Sequence, residues 1–297
     1  AGVASADAAL LKMETVFDWL DQGNSNGVFN RVIFRRVADA QAREKRMLGD
    51  FVGRLTGLLK AIPKAQIGRW SERVTVPELT DPDTNEPLVI TRERLVSMAL
   101  NMGNEGNAKK LAGGYGWNEQ TVMDVLDREL TAEDWAYAQS VWVTINELWP
   151  EAQAMEKRIN GIAPPKVEAR AVITRHGTFA GGYFPVVYDP AKNYDAEANA
   201  AKTADMFAAS YTRANTRSGS LNERTKVERP IHLSLGIINR HVTEVIHDIT
   251  HREAVMDSYR LLSDKRIMRA VDDTLGPEIR KMFKPWLQHI ANEWAAD

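Results

Sequence analysis

Three tryptophans, Trp135, Trp142 and Trp149, stand seven residues apart with Ala138, Val141, Ile145 and Leu148 between them. A seven-residue step drifts only about 20° around an α-helix, so the three indoles share one face. Such a face needs either a stacked ligand or a large helical core, and the aliphatic residues between the rings favour the core. The same periodicity recurs along the chain. Val37, Leu48, Phe51, Val52, Leu55, Leu58, Leu59 and Ile62 repeat at three- and four-residue steps until Pro63 ends the run. Thr91 is placed to cap a helix reaching about Met102, and Asn118 and Thr131 are further N-caps. Asp134 follows Thr131 by three residues, the spacing of a capping box. Pro150 restarts the tryptophan helix. Later helices are expected over about Leu235 to Leu262, Asp264 to Thr274, and from Pro277 onward.

Between these helical stretches the pattern changes twice. Residues 71–90 read as a short irregular or hairpin segment. Val167–Arg175 and Tyr183–Tyr188, with His176-Gly177 as a turn, suggest a β-hairpin, and Gly181-Gly182 suggests a bulge or a close backbone approach. From Asp189 to Arg229 the composition is polar and alanine-rich, as in a long arm around a helix at Ala196–Tyr211. The expected fold is therefore mainly α: a multi-helix domain with one small β-hairpin and a long extended arm. Its segments are an amphipathic helical region at 1–70, a helical domain at 71–160, the hairpin and arm at 161–230, and a helical region at 231–297.

Composition narrows the chemistry. The 297 residues carry a net charge of -2, which gives no global attraction to nucleic acid or anionic membrane. No apolar run approaches the roughly 20 residues that span a bilayer. Cysteine is absent, so thiol catalysis and thiolate metal sites are excluded and any metal needs His and carboxylate ligands. The start at Ala1 and the unfinished helical pattern His289–Trp294 lead us to expect a piece of a longer polypeptide.

Half of the six histidines fall within His241–Glu253, where His247-Asp248-Ile249-Thr250-His251 reads H-D-x-x-H. This is one methylene short of the H-E-x-x-H zinc-protease signature. At about 100° per residue, Val242, Val245, Ile246, Ile249 and Met256 form one face, and Glu244, His247, Asp248 and His251 lie nearly opposite. The two histidines share a face with Glu244 one turn before them, which makes His247, His251 and Glu244 the candidate metal ligands, zinc being the ion considered. Three features weigh against a protease. Asp248 is shorter than the usual base, no distal ligand follows at motif spacing, and the polar face points away from the expected core. The expected role of this face is a contact surface, with no cofactor favoured. A metal-dependent hydrolase using Asp248 or Glu244 as base is the alternative.

A basic stripe, Arg31, Arg35, Arg36, Arg43, Arg46 and Arg54 among others, offers contacts to nucleic acid or membrane. No aromatic residues interleave with it as base stacking requires, and a solvated face is the plainer reading. Asn101-Met-Gly103-Asn104-Glu-Gly106-Asn107 and Gly113-Gly114-Tyr-Gly116 fit neither a phosphate loop nor a dinucleotide fingerprint; they read as helix ends with an internal amide network.

Ala99–Asn107, Gly114–Trp117, Asp134-Trp135, Val141-Trp142, Leu148–Pro150, Gly181–Pro190, His241–Glu253, Asp272-Asp273 and Phe283–Trp286 together resemble very large phage and prophage polyvalent proteins, the internal-virion proteins ejected with the DNA. The resemblance covers roughly residues 90–297 and carries over no catalytic residue. It implies a helical structural or binding module, delivered from the virion into the host cell. Its partners would be other domains of a larger chain or other virion proteins, in a homo-oligomeric assembly, with DNA or the host envelope as further contacts. A nucleic-acid-binding helical domain is the second alternative.

Overall fold

Helices dominate the computed structural model, which describes residues 13–163, 165–188 and 230–292, apart from the side chains of residues 284 and 288–292. Helix α1 (residues 13–20) is followed by a π-helical turn, Asn30–Phe34, that runs directly into α2 (Arg35–Ala61) and then α3 (Lys64–Trp70). Strands β1 (Arg73–Thr80) and β2 (Pro87–Thr91) come next, then α4 (Arg92–Asn101), α5 (Glu105–Tyr115), α6 (Glu119–Glu129), α7 (Ala132–Asn146) and α8 (Trp149–Asn160). Strands β3 (Val172–Thr174) and β4 (Gly177–Phe179) precede α9 (Ile237–Ser263), α10 (Lys265–Leu275) and α11 (Pro277–Asn292).

Local chemistry accounts for most of these boundaries. Thr91 caps α4, and Asn118 caps α6 by accepting from the amides of Gln120 and Thr121. Thr131 and Asp134 form the reciprocal capping box of α7. The buried Asp134 carboxylate also accepts from Trp70 Nε1 at 2.7 Å and Gln66 Nε2 at 2.8 Å, which ties α3 to α7. Gly116, with φ +70°, ends α5 in the left-handed region that glycine enters without steric cost. Pro150 occupies the first turn of α8, so Trp149 opens a new helix instead of ending the tryptophan one.

The described residues include two two-stranded antiparallel sheets. Residues 71–90 hold the larger one, whose register shifts between Val76 and Thr80, where Pro77 removes a ladder donor. The expected Val167–Tyr188 hairpin is smaller than its sequence suggests. Its strands are only Val172–Thr174 and Gly177–Phe179, and Tyr188 instead forms an isolated bridge with Ile231. The expected arm at 189–229 lies outside the described residues.

Two apolar clusters form the core. The first gathers Phe51 and Leu55 of α2, Val76 and Ile90 of the hairpin, residues of α4 to α7, and Ile238, Val242, Ile246 and Ile249 of α9. Trp135 and Trp142 are fully buried in it, as the tryptophan spacing predicts. The second gathers Phe17 of α1, Val37 and Ala40 of α2, Ala254, Val255 and Leu262 of α9, and Phe283, Trp286 and Leu287 of α11. Helices α2 and α9 therefore run antiparallel through both clusters, and α9 also packs against α8, α10 and α11. Among the described residues, no helix is long and apolar enough to cross a membrane.

Irregular residues 167–188 are held by side-chain amides. Asn107 Nδ2 donates to the Phe184 carbonyl at 2.7 Å, and Asn104 Nδ2 donates to that of Gly182 at 3.1 Å. The Gly103 carbonyl accepts from the amides of Arg170 and Gly182, both at 2.8 Å. The glycine- and asparagine-rich segment is thus a structural clasp, and its carboxamides satisfy backbone groups that no strand pairs.

Candidate metal centre

Midway along α9, where the chain passes from one apolar cluster to the other, a stretch of less than two turns carries polar side chains. His247, Thr250, His251 and Arg252 are all buried there. This corrects the expectation that the polar face of the histidine helix points to solvent: His247 is 2% exposed and His251 1%. The angular argument assumes that a helix is covered on one side only. Helix α9 is covered on several, and α2 lies over the face the histidines occupy.

The group that meets them is Glu44 of α2. His247 Nδ1 lies 2.8 Å from Glu44 Oε1, and His251 Nδ1 lies 3.8 Å from Glu44 Oε2. The imidazoles stack, with centroids 4.4 Å apart and planes 14° from parallel, as residues one helical turn apart allow. Thr250 Oγ1 sits 2.9 Å from His251 Nδ1 while bonding back to the Ile246 carbonyl. His247 Nε2 is buried without a hydrogen-bond partner among the described residues. Glu44, His247 and His251 each bring one ligand atom within 4.8 Å of the others.

Electrostatics keeps Glu44 and His251 in their ligand-ready forms. Burial works to raise the Glu44 carboxyl, but the hydrogen bond and charge of His247, helped by His251 and Lys45, outweigh it and hold Glu44 below the usual range. Burial, reinforced by the nearby His247, depresses His251 to about 4 against the pull of Glu44, so it is neutral near pH 7.

Glu244, the third ligand expected from sequence, is not part of the cluster. It pairs with Arg240 at 2.8 Å, one turn away on the same helix. Nor is Asp248, the expected base, among the converging groups; its carboxylate lies 3.4 Å from Arg252. Burial pushes the Asp248 carboxyl up, with Arg252 opposing and Glu156 adding to the shift. Its side chain is 39% exposed, so the shift carries no stability argument. Arg252 is itself buried against Glu156 of α8 at 2.6 Å, and Asn160 Nδ2 completes that carboxylate at 2.5 Å. Glu44 escaped the sequence reading because it lies 203 positions from His247, and no local spacing announces such a pairing.

The arginine stripe is largely engaged in helix contacts. Arg36 pairs with Asp257 at 2.5 Å, Arg43 pairs with Glu151 at 2.7 Å, and Arg54 pairs with Glu147 and Asp50. Arg35 donates to the Ser25 carbonyl at 2.8 Å and to Asn26. Arg31 and Arg46 are exposed and have no ion pair among the described residues. The sequence reading also missed Gly49, Gly53 and Gly57, spaced four apart on the outward side of α2, where an added Cβ would meet nothing within 4 Å.

A small pocket of about 110 Å³ is lined by Leu148, Trp149, Lys166, Tyr183, His241 and Val245 among others, below the roughly 300 Å³ of ordinary ligand sites. Comparison with models of protein families, with curated proteins and with solved structures finds no match to the chain.

Proposed function

We propose that the chain is a non-catalytic helical binding module, and that the outward face of α2 packs against a second copy within an assembly. The observation that carries this reading is the exposed row Gly49, Gly53 and Gly57, each with open space where a side chain would stand. Each interior glycine costs a helix about 1 kcal/mol relative to alanine, and the described fold uses none of the three for close packing. Small residues at four-residue steps let two helix backbones approach closely. Beside them Val52 and Leu59 remain 47% and 41% exposed, which adds apolar area to the same side. The further assignment to a phage internal-virion or DNA-ejection protein is supported by the resemblance of residues 90–297, and it accords with a mainly helical fold.

Other readings have less support. A hydrolase on the H-D-x-x-H helix would use Asp248 as base, yet that carboxylate is outside the converging groups and beside Arg252. Nucleic-acid binding through the arginine stripe would use side chains of which Arg36, Arg43 and Arg54 already pair with acids.

Salt separates the assembly and nucleic-acid readings. Self-association through a face bordered by Arg46 and Lys60 opposes like charges and should strengthen as salt screens them, whereas DNA binding weakens steeply. Sedimentation of the full chain at high micromolar concentration and raised salt should show reversible association that Gly53→Leu abolishes. A wild-type chain that stays monomeric under those conditions would overturn the proposal.

A further inference from the structure

We infer that Glu44, His247 and His251 form a site for one divalent transition-metal ion of the zinc class, which clamps α2 to α9. The inference stands apart from the assembly reading and rests on the interior of the helix pair.

Distances are the first argument. Zinc bonds to nitrogen and carboxylate oxygen are ~2.0–2.1 Å, so ligand atoms around a tetrahedral ion lie roughly 3.3 Å apart. The two observed Glu44–histidine separations, 2.8 and 3.8 Å, fall on either side of that spacing. Ligation needs the rings to turn out of their 14° stack, a side-chain rotation and not a movement of the helices. The ligand types are the second. Two imidazoles and one carboxylate suit zinc and its neighbours, while calcium and magnesium prefer all-oxygen shells. The third is His247 Nε2. A buried polar atom without a partner is uncommon, and His247 is 2% exposed. Glu44 only accepts, so His247 Nδ1 donates to it in the metal-free state; an ion would take the place of that proton, and the partnerless Nε2 leaves the ring unheld on its far side.

The location explains what the ion would do. Apolar packing secures α2 to α9 on both sides of the cluster, through Phe51 and Leu55 at one end and Val37 and Ala40 at the other. Between these ends Glu44 and the two histidines make a polar crossing from α2 to α9. Three protein ligands leave a fourth position for water. Among the described residues no further His or carboxylate converges with these three, and the role we infer for the ion is cohesion between the helices.

The test uses the full chain, stripped with chelator and titrated with Co²⁺ and then Zn²⁺. One equivalent of Co²⁺ should bind with the visible d–d bands of a low-coordinate site, and Zn²⁺ should displace it. The melting temperature should climb with ion concentration, as it does for any ligand that binds only the folded state. Glu44→Gln and His251→Gln should each weaken binding by more than about 100-fold, beyond the 10–100-fold typical of residues that merely orient a ligand. Glu244→Gln should bind as the wild type does. Circular dichroism of each variant in chelator separates lost ligation from lost folding. The wild-type titration decides on its own: no d–d bands and no thermal shift overturn the site, as does Glu44→Gln at full affinity or Glu244→Gln with an equal loss.

Discussion

At Gly103 a Cβ would stand 2.5 Å from the Trp142 ring, and at Gly182 it would stand 2.7 Å from the Trp142 Cβ. Both glycines are needed because Trp142 lies between the α4–α5 turn and the irregular segment, with its Nε1 donating to the Leu100 carbonyl at 2.9 Å. Gly103→Ala should therefore destabilise the fold by about 1–3 kcal/mol through overpacking, read as a lower denaturant midpoint; an unchanged midpoint would contradict the packing described. The asparagines nearby were legible as an internal network, since Asn101, Asn104 and Asn107 fall at three-residue steps beside turn glycines. Their acceptors were not. Gly182 and Phe184 lie more than 70 positions away, and only folding brings those carbonyls within reach.

Helices α2 and α9 show how far the reading of an element extends. Both were visible as periodic runs, and α2 stops before Pro63 as that residue requires. The inward side of α2 is apolar in the ordinary way, while its outward side has glycine where alanine would serve a lone helix better. Gly53→Ala should raise the stability of the monomer by about 0.5–1 kcal/mol, because the Cβ meets nothing and the unfolded chain loses freedom. A loss of stability in that variant, measured by thermal melting at low concentration, would mean that the glycine serves the isolated fold after all. In α9 the burial argument failed for a physical reason: a helix covered on several sides leaves only part of its polar surface to solvent, so the polar residues on the covered sides must find partners inside. His247 finds Glu44, and Arg252 finds Glu156.

For the whole molecule, two histidines, the half-buried His241 and the buried His251, tie stability to pH. His241, packed near Tyr183 with ring centroids 5.5 Å apart, is depressed to about 4 by burial, and His251 is depressed to a similar value. Between pH 6.5 and 4 the unfolded chain takes up protons that these folded side chains refuse, so stability is full above about 6.5 and falls as pH drops toward 4. The loss should be on the order of 1–3 kcal/mol for His241, measured as the fall in urea midpoint in the presence of chelator. His241→Gln should flatten that part of the profile, and a profile already flat in the wild type would reject the assignment.

Sequence alone determined the helical class, most caps and stops, and the burial of Trp135 and Trp142, because these depend on neighbours within a turn or two of the chain. It also marked His247 and His251 as a pair on one face. Only the tertiary structure decided what that face meets. The burial of His247 and His251, the arrival of Glu44 and the exclusion of Glu244 follow from how α2 lies on α9. Contacts between residues some two hundred positions apart are set by the packing of two apolar clusters, and no spacing within one segment records them.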